Sequence, residues 1–199
     1  LHTICEVQGE QRFLLMKQHV DTKVLSLEGD DTRLLAPEFA VSADTRNLYQ
    51  CFTFEIPVDG PRHVVRMEPV VDDSRVLHHI VVLRDTDGNE PDGAHRCYGM
   101  AEGSDFLYAW APGAGPIQFP EGGLAAKPGD RYVLQIHYNN GAGLDGVTDS
   151  SGVRFYHGPP VGPTYGMLAP GPLAFKIAPG ETKVVEGVCN VREPFSVVA

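Results

Sequence analysis

"RYVLQIHYNN", residues 131–140, is the stretch on which the fold turns. Leu134, Ile136 and Tyr138 fall on one side of an extended chain, and Val133, Gln135 and His137 on the other. A period of two, closed by Asn139–Asn140–Gly141, marks a strand with an apolar face for a core and a second, more polar face. His137 stands near the strand's end on that polar face, a place suited to lining a groove.

Working outward, the same grammar repeats. "LYQCFTFEIPV" (48–58) alternates, "RHVVRMEPVV" (62–71) is extended, and "VLHHIVVLRD" (76–85) is an apolar strand between the turns "DDS" and "DTDGNEPDG". "DFLYAWAPG" (105–113) and "SGVRFYHG" (151–158) add two more. "AFKIAPGETKVVEGVCNV" (174–191) is expected to form two strands about the turn "APGE". Seven to nine short strands separated by Gly- and Pro-rich turns predict an all-β chain, an antiparallel β-sandwich or jelly roll. Residues 1–37 are looser and are expected to be an N-terminal extension packed on a sandwich domain spanning 38–199. "EQRFLLMKQHV" (10–20) fits a short helix or a strand.

The 199 residues, 42% of them hydrophobic, suit one large β domain with a real core. A net charge of −10 with only 16 Lys plus Arg provides no basic patch, which argues against nucleic acid as a partner. No apolar run approaches the roughly 20 residues of a membrane helix. Beginning at Leu1 without Met or a leader, the chain reads as processed or trimmed.

Cys5, Cys51, Cys97 and Cys189 form no C-x-x-C pair, so a zinc ribbon or thioredoxin-type site has no support. Four scattered cysteines suggest two disulfides and a secreted or extracytoplasmic protein; the alternative is four buried thiols. "DTDGNEPDG" lacks the closing Glu of a calcium loop and reads as a solvated turn. No nucleophile elbow, H-E-x-x-H or phosphate loop is present. Trp110 is expected to pack with its indole N–H bonded, and Tyr108 to lie in the core.

Of eight histidines, His2, His95 and His157 sit in terminal or turn contexts that suggest solvation, and His63 begins a strand. His78 and His79 are different: two titratable rings in a strand that is otherwise apolar. On a regular strand they face opposite sides, so a shared ligand requires a twist or bulge. Neutral imidazoles suit zinc or copper, and His137 would make a third ligand. The alternative is that all three merely pack.

"YQCF", "MEPVVDDSRVLHHIVVL", "LYAWAPG", "LQIHYNN", "DSSGVRFYH", "YGML" and "IAPGETKVVEGVC" occur in that order. Together, over about residues 38–191, they resemble the N-terminal domain of the copper type II, ascorbate-dependent monooxygenases, the family of dopamine β-monooxygenase and peptidylglycine α-hydroxylating monooxygenase. The resemblance implies a jelly-roll sandwich of eight to nine strands. It implies a single copper ion held by His78, His79 and His137, which stores an electron taken from ascorbate. It implies a Cys51–Cys97 disulfide, leaving Cys5 with Cys189 by exclusion. It also implies a partner, a second copper domain that activates O2 and hydroxylates a C–H bond of a small-molecule or peptide substrate. The eight residues after Val191 hold no ligands for that second copper, and Met167 reads as a packing methionine. Two functional readings stay open: the electron-storing domain of a C–H monooxygenase, or a free-standing copper-binding, electron-transfer sandwich without hydroxylase activity of its own.

Overall fold

β-Branched and aromatic residues at alternating positions keep the backbone extended until Gly, Pro or Asp breaks it. The computed structural model describes residues 12–14, 31–100, 103–168, 175–188 and 196–198, and among these it contains strands and no helix. In chain order the strands are β1 (Arg12–Leu14), β2 (Asp31–Leu35), β3 (Phe39–Val41), β4 (Leu48–Glu55), β5 (Arg62–Val70), β6 (Leu77–Asp85), β7 (Gly93–Arg96), β8 (Ser104–Trp110), β9 (Ile117–Gln118), β10 (Gly123–Ala126), β11 (Arg131–Tyr138), β12 (Val147–Asp149), β13 (Gly152–Gly158), β14 (Thr164–Met167) and β15 (Ser196–Val198).

They form an all-β sandwich, as the alternation requires. One sheet runs β15-β1-β14-β10-β5-β13-β2 with β9 beside β5; the facing sheet runs β7-β4-β11-β6-β8; β12 and β3 make a small ribbon. Most ladders are antiparallel, and parallel pairing is confined to the short strands β1, β10, β14 and β15 at one end of the larger sheet.

The expected strands at β4, β5, β6, β8, β11 and β13 all appear. The short β7, β9, β10, β12 and β14 exceed the expected number because two to four residues between turns carry no periodic signal. The two strands expected in 174–191 are not found over 175–188, which follow no ladder. The turn itself is there, with Glu181 N–H donating to Ala178 O at 3.0 Å. Alternation alone does not supply a neighbouring sheet edge. Within 10–20, Arg12–Leu14 is extended and the rest lies outside the described residues.

The core fills the space between the sheets. Tyr132, Leu134, Ile136 and Tyr138 of β11 meet Phe155 and Val153 of β13, Val64 and Met67 of β5, and Ile80 and Val82 of β6, all nearly inaccessible. Trp110 and Tyr108 join them, the indole N–H donating to Ala114 O at 2.9 Å. The opposite face of β11 is also covered. There Val133 packs with Cys51 and Leu83, and with Cys97 and Phe106. The Cys51–Cys97 disulfide forms, and Gln135 donates to Gly99 O at 2.8 Å, so the chain after β7 is bolted over the polar face of β11. Cys5 and Cys189 lie outside the described residues.

Two corrections concern histidines assigned to solvent. His157 is buried on β13, with Nε2 at 3.0 Å from Thr32 Oγ1 of β2, because the ladder of β13 with β5 runs on to Gly158. His95 pairs with Glu90 Oε2 at 3.0 Å instead of standing in water. The "DTDGNEPDG" loop is likewise tied down: the buried Asp85 carboxylate accepts the N–H groups of Asn89 and Glu90, and Arg131 donates to it at 3.0 Å.

Candidate metal centre

The problem of the adjacent histidines is solved by the backbone. β6 pairs with β11 in regular antiparallel register up to His79 opposite His137; the next pair is Leu77 opposite Tyr138, so His78 is an extra residue in β6. This is a β-bulge. Its effect shows in the flanking residues. Leu77 and Ile80, three apart, both face the core, which is impossible on a regular strand. The two residues between them, His78 and His79, are left on the outer face together, beside His137.

The three rings converge through the same atom. His78 Nδ1 lies 3.1 Å from His79 Nδ1, and His137 Nδ1 lies 3.2 Å from each. The ring planes stand at 61–68° to one another, like blades about an axis. His137 is 8% exposed and anchors the set; His79 is half-buried and His78 is exposed, so the triad opens at the rim of the sheet.

A second partner fixes the chemistry of His137. Its Nε2 donates to Asn47 Oδ1 at 2.7 Å, which places the proton on Nε2 and leaves Nδ1 as a bare lone pair aimed at the other rings. Asn47 is brought there by the "NN" that follows the strand. Buried Asn140 bonds Ser42 O and Leu144 O through its amide, and Asn140 N–H donates to Thr45 O at 2.7 Å. Arg46 closes the same turn on Asn140 O at 2.6 Å. The ring of Tyr49, opposite His137 in the ladder, stacks on it at 4.2 Å with planes 2° apart.

Burial and the two neighbouring imidazoles push the His137 pKa down to about 4. Burial and His78 lower that of His79. Among the described residues no carboxylate bonds any of the three rings. Neutral imidazoles with converging lone pairs are what a borderline transition-metal ion needs. Nitrogens sharing one ion at about 2.0–2.1 Å in a tetrahedral disposition stand about 3.3 Å apart, close to the spacing here. His78, His79 and His137 could therefore hold one ion and leave a position open. Sequence reasoning found these three and missed Asn47 and Tyr49, which lie in a turn and on a neighbouring strand with no spacing rule tying them to His137.

A pH dependence follows for the metal-free chain. His63 is also buried, with Nε2 at 3.2 Å from Thr164 Oγ1, and burial lowers its pKa. The unfolded chain takes up protons near pH 6.5 that folded His63, His79 and His137 refuse. Folding stability is thus fully present above about pH 6.5 and declines as pH falls toward the folded pKa values. Denaturant midpoints between pH 7 and 5 should fall, and His63→Gln should flatten the slope; a pH-independent midpoint would contradict this.

The same stretch matches the family model described as the copper type II ascorbate-dependent monooxygenase, N-terminal domain, over residues 32–145. Dopamine beta-hydroxylase of Rattus norvegicus is 27% identical over 218 residues, covering 96% of this chain and 33% of the relative. Dopamine beta-hydroxylase of Equus caballus is 31% identical over 79% of this chain and 27% of its own length. Tyramine beta-hydroxylase of Caenorhabditis briggsae is 33% identical over 68% of this chain and 26% of its own. The chain thus spans about a quarter to a third of the length of these relatives.

Proposed function

Because this chain belongs to the copper type II ascorbate-dependent monooxygenase family and matches its N-terminal domain, we propose that it is the electron-storing copper domain of an O2-using C–H hydroxylase. The observation that carries the reading is the convergence of three Nδ1 atoms on one point at a β-bulge. One copper ion per chain is held by His78, His79 and His137, and ascorbate is the electron donor. Copper in that set supplies a one-electron store: three imidazoles without a thiolate leave it lightly held and open. The protein does the rest. Asn47 fixes the His137 tautomer, Tyr49 holds the ring plane, and no carboxylate among the described residues bonds a ring, which keeps the lone pairs free for the ion.

The partner in this reading is a second copper domain, in the same protein or separate, where O2 is activated and the C–H bond of a small-molecule or peptide substrate is hydroxylated. The relatives named for dopamine and tyramine favour the small-molecule branch. In this reading residues 1–37 are an extension, whose strands β1 and β2 join the larger sheet, and 38–199 are the copper-binding domain. The Cys51–Cys97 disulfide supports a secreted or extracytoplasmic location. No helix among the described residues is long and apolar enough to cross a membrane.

The test is anaerobic. The purified chain, loaded with copper(II), should bind one ion, and its copper(II) EPR signal should vanish on addition of one electron equivalent of ascorbate. A chain that retains no copper after gel filtration would defeat the proposal. Removing the outer partner, Asn47→Ala, should weaken copper binding by about 10–100-fold, the usual cost of losing a hydrogen bond behind a ligating imidazole, measured by competition with a calibrated chelator. An unchanged affinity would show that Asn47 does not set the tautomer.

A further inference from the structure

The described surface carries few large exposed hydrophobic side chains, and one of them leads to the metal centre. Tyr98 is 82% exposed, and Met100, two residues on, is 52% exposed. Such exposure of a large ring is informative where scattered small apolar groups are not. The segment that carries it is pinned on both sides: Cys97 is disulfide-bonded to Cys51 of β4, and Gly99 O accepts the Gln135 amide. The Tyr98 ring sets its edge against Tyr49 at 5.2 Å and 81°. Tyr49 in turn lies flat on His137 at 4.2 Å. Three rings therefore form a continuous column from solvent to the innermost imidazole.

We propose that Tyr98 is the docking surface for the reductant, a flat anionic enediol, and that one electron passes inward through the contacts Tyr98–Tyr49–His137. This rests on the copper reading above. The enediol monoanion loses one electron and one proton and leaves as its radical anion; the proton goes to water, and copper(II) becomes copper(I). Neither tyrosine changes its redox or protonation state. Tyr98 offers a face for stacking, and Tyr49 closes the gap to the ligand ring.

Two measurements test this. In the metal-free chain, ascorbate added anaerobically should shift the ring NMR signals of Tyr98 and Tyr49 and leave those of Tyr156 in place. In the copper(II)-loaded chain, freeze-quench EPR should show Tyr98→Ala lowering the second-order rate of reduction by ascorbate about three- to tenfold, the loss of one aromatic contact in docking. Tyr98→Phe, which keeps the ring, should reduce at the wild-type rate, and both variants should bind one copper with unchanged EPR parameters. Reduction of Tyr98→Ala at the wild-type rate with full copper content would overturn the docking assignment and place electron uptake at the His78 edge, with the copper reading intact. Loss of copper from the wild-type chain would instead remove the reading on which it rests.

Discussion

Replacing His137 with Ala abolishes copper retention while the sandwich stays folded. His137 is the one buried member of the triad, the only one whose tautomer is set by an outside partner among the described residues, and the one at equal distance from both other rings. Its loss removes a ligand and also the ring on which Tyr49 stacks. The two remaining imidazoles, adjacent on a bulge at the rim, keep too little of the site to hold the ion. Copper affinity should fall by well over about 100-fold, more than the loss of an outer hydrogen bond causes. Metal analysis after gel filtration checks this, with circular dichroism to confirm the fold. Retention of one copper by His137→Ala would move the centre elsewhere.

The second large effect is on stability and is expected at Asp149. Its carboxylate is fully buried and accepts four donors: Tyr138 O–H at 3.0 Å, Ser151 O–H at 2.6 Å, Ser151 N–H at 3.0 Å and Asp73 N–H at 3.0 Å. It thereby joins three pieces of chain: the end of β11, the start of β13 and the turn that feeds β6. Asp73 O receives the N–H groups of Val76 and Leu77, so Asp149 braces the approach to the bulge itself. Asp149→Ala leaves several buried donors without an acceptor, each costing ~1–3 kcal/mol, so a loss of about 3–5 kcal/mol is expected. Asp149→Asn keeps part of the acceptor capacity and should lose less. Urea denaturation distinguishes the two; an Ala variant within ~1 kcal/mol of the parent would mean that water satisfies these donors.

Much of this was legible in the sequence, and the parts that were not share one cause. β11 was readable because both of its faces obey period two, and His137 because it stands near the strand's end on the more polar of those faces. His78 and His79 were conspicuous, yet their convergence depends on a one-residue excess in β6 that is defined only against β11, 60 residues away, and no local signal encodes it. Asn47, Tyr49 and Tyr98 were silent for the same reason. Each matters through a neighbour brought by the ladder, the disulfide or the Asn140 clamp. The hairpin expected in 174–191 shows the converse: alternation describes a segment able to pair and does not provide its partner. His157 was misassigned to solvent because its surroundings come from distant chain: Val64 of β5 pairs with it and Thr32 of β2 reaches its ring.

Copper K-edge X-ray absorption on the chain loaded with one equivalent of copper examines the triad most directly, because it counts imidazoles. Three histidine rings bound at about 2.0–2.1 Å in the parent chain, with no bound copper left to give that signal in His137→Ala, is the predicted outcome. A spectrum with fewer than three imidazoles, or one that His137→Ala leaves unaltered, would contradict the convergence of residues 78, 79 and 137 on a single ion.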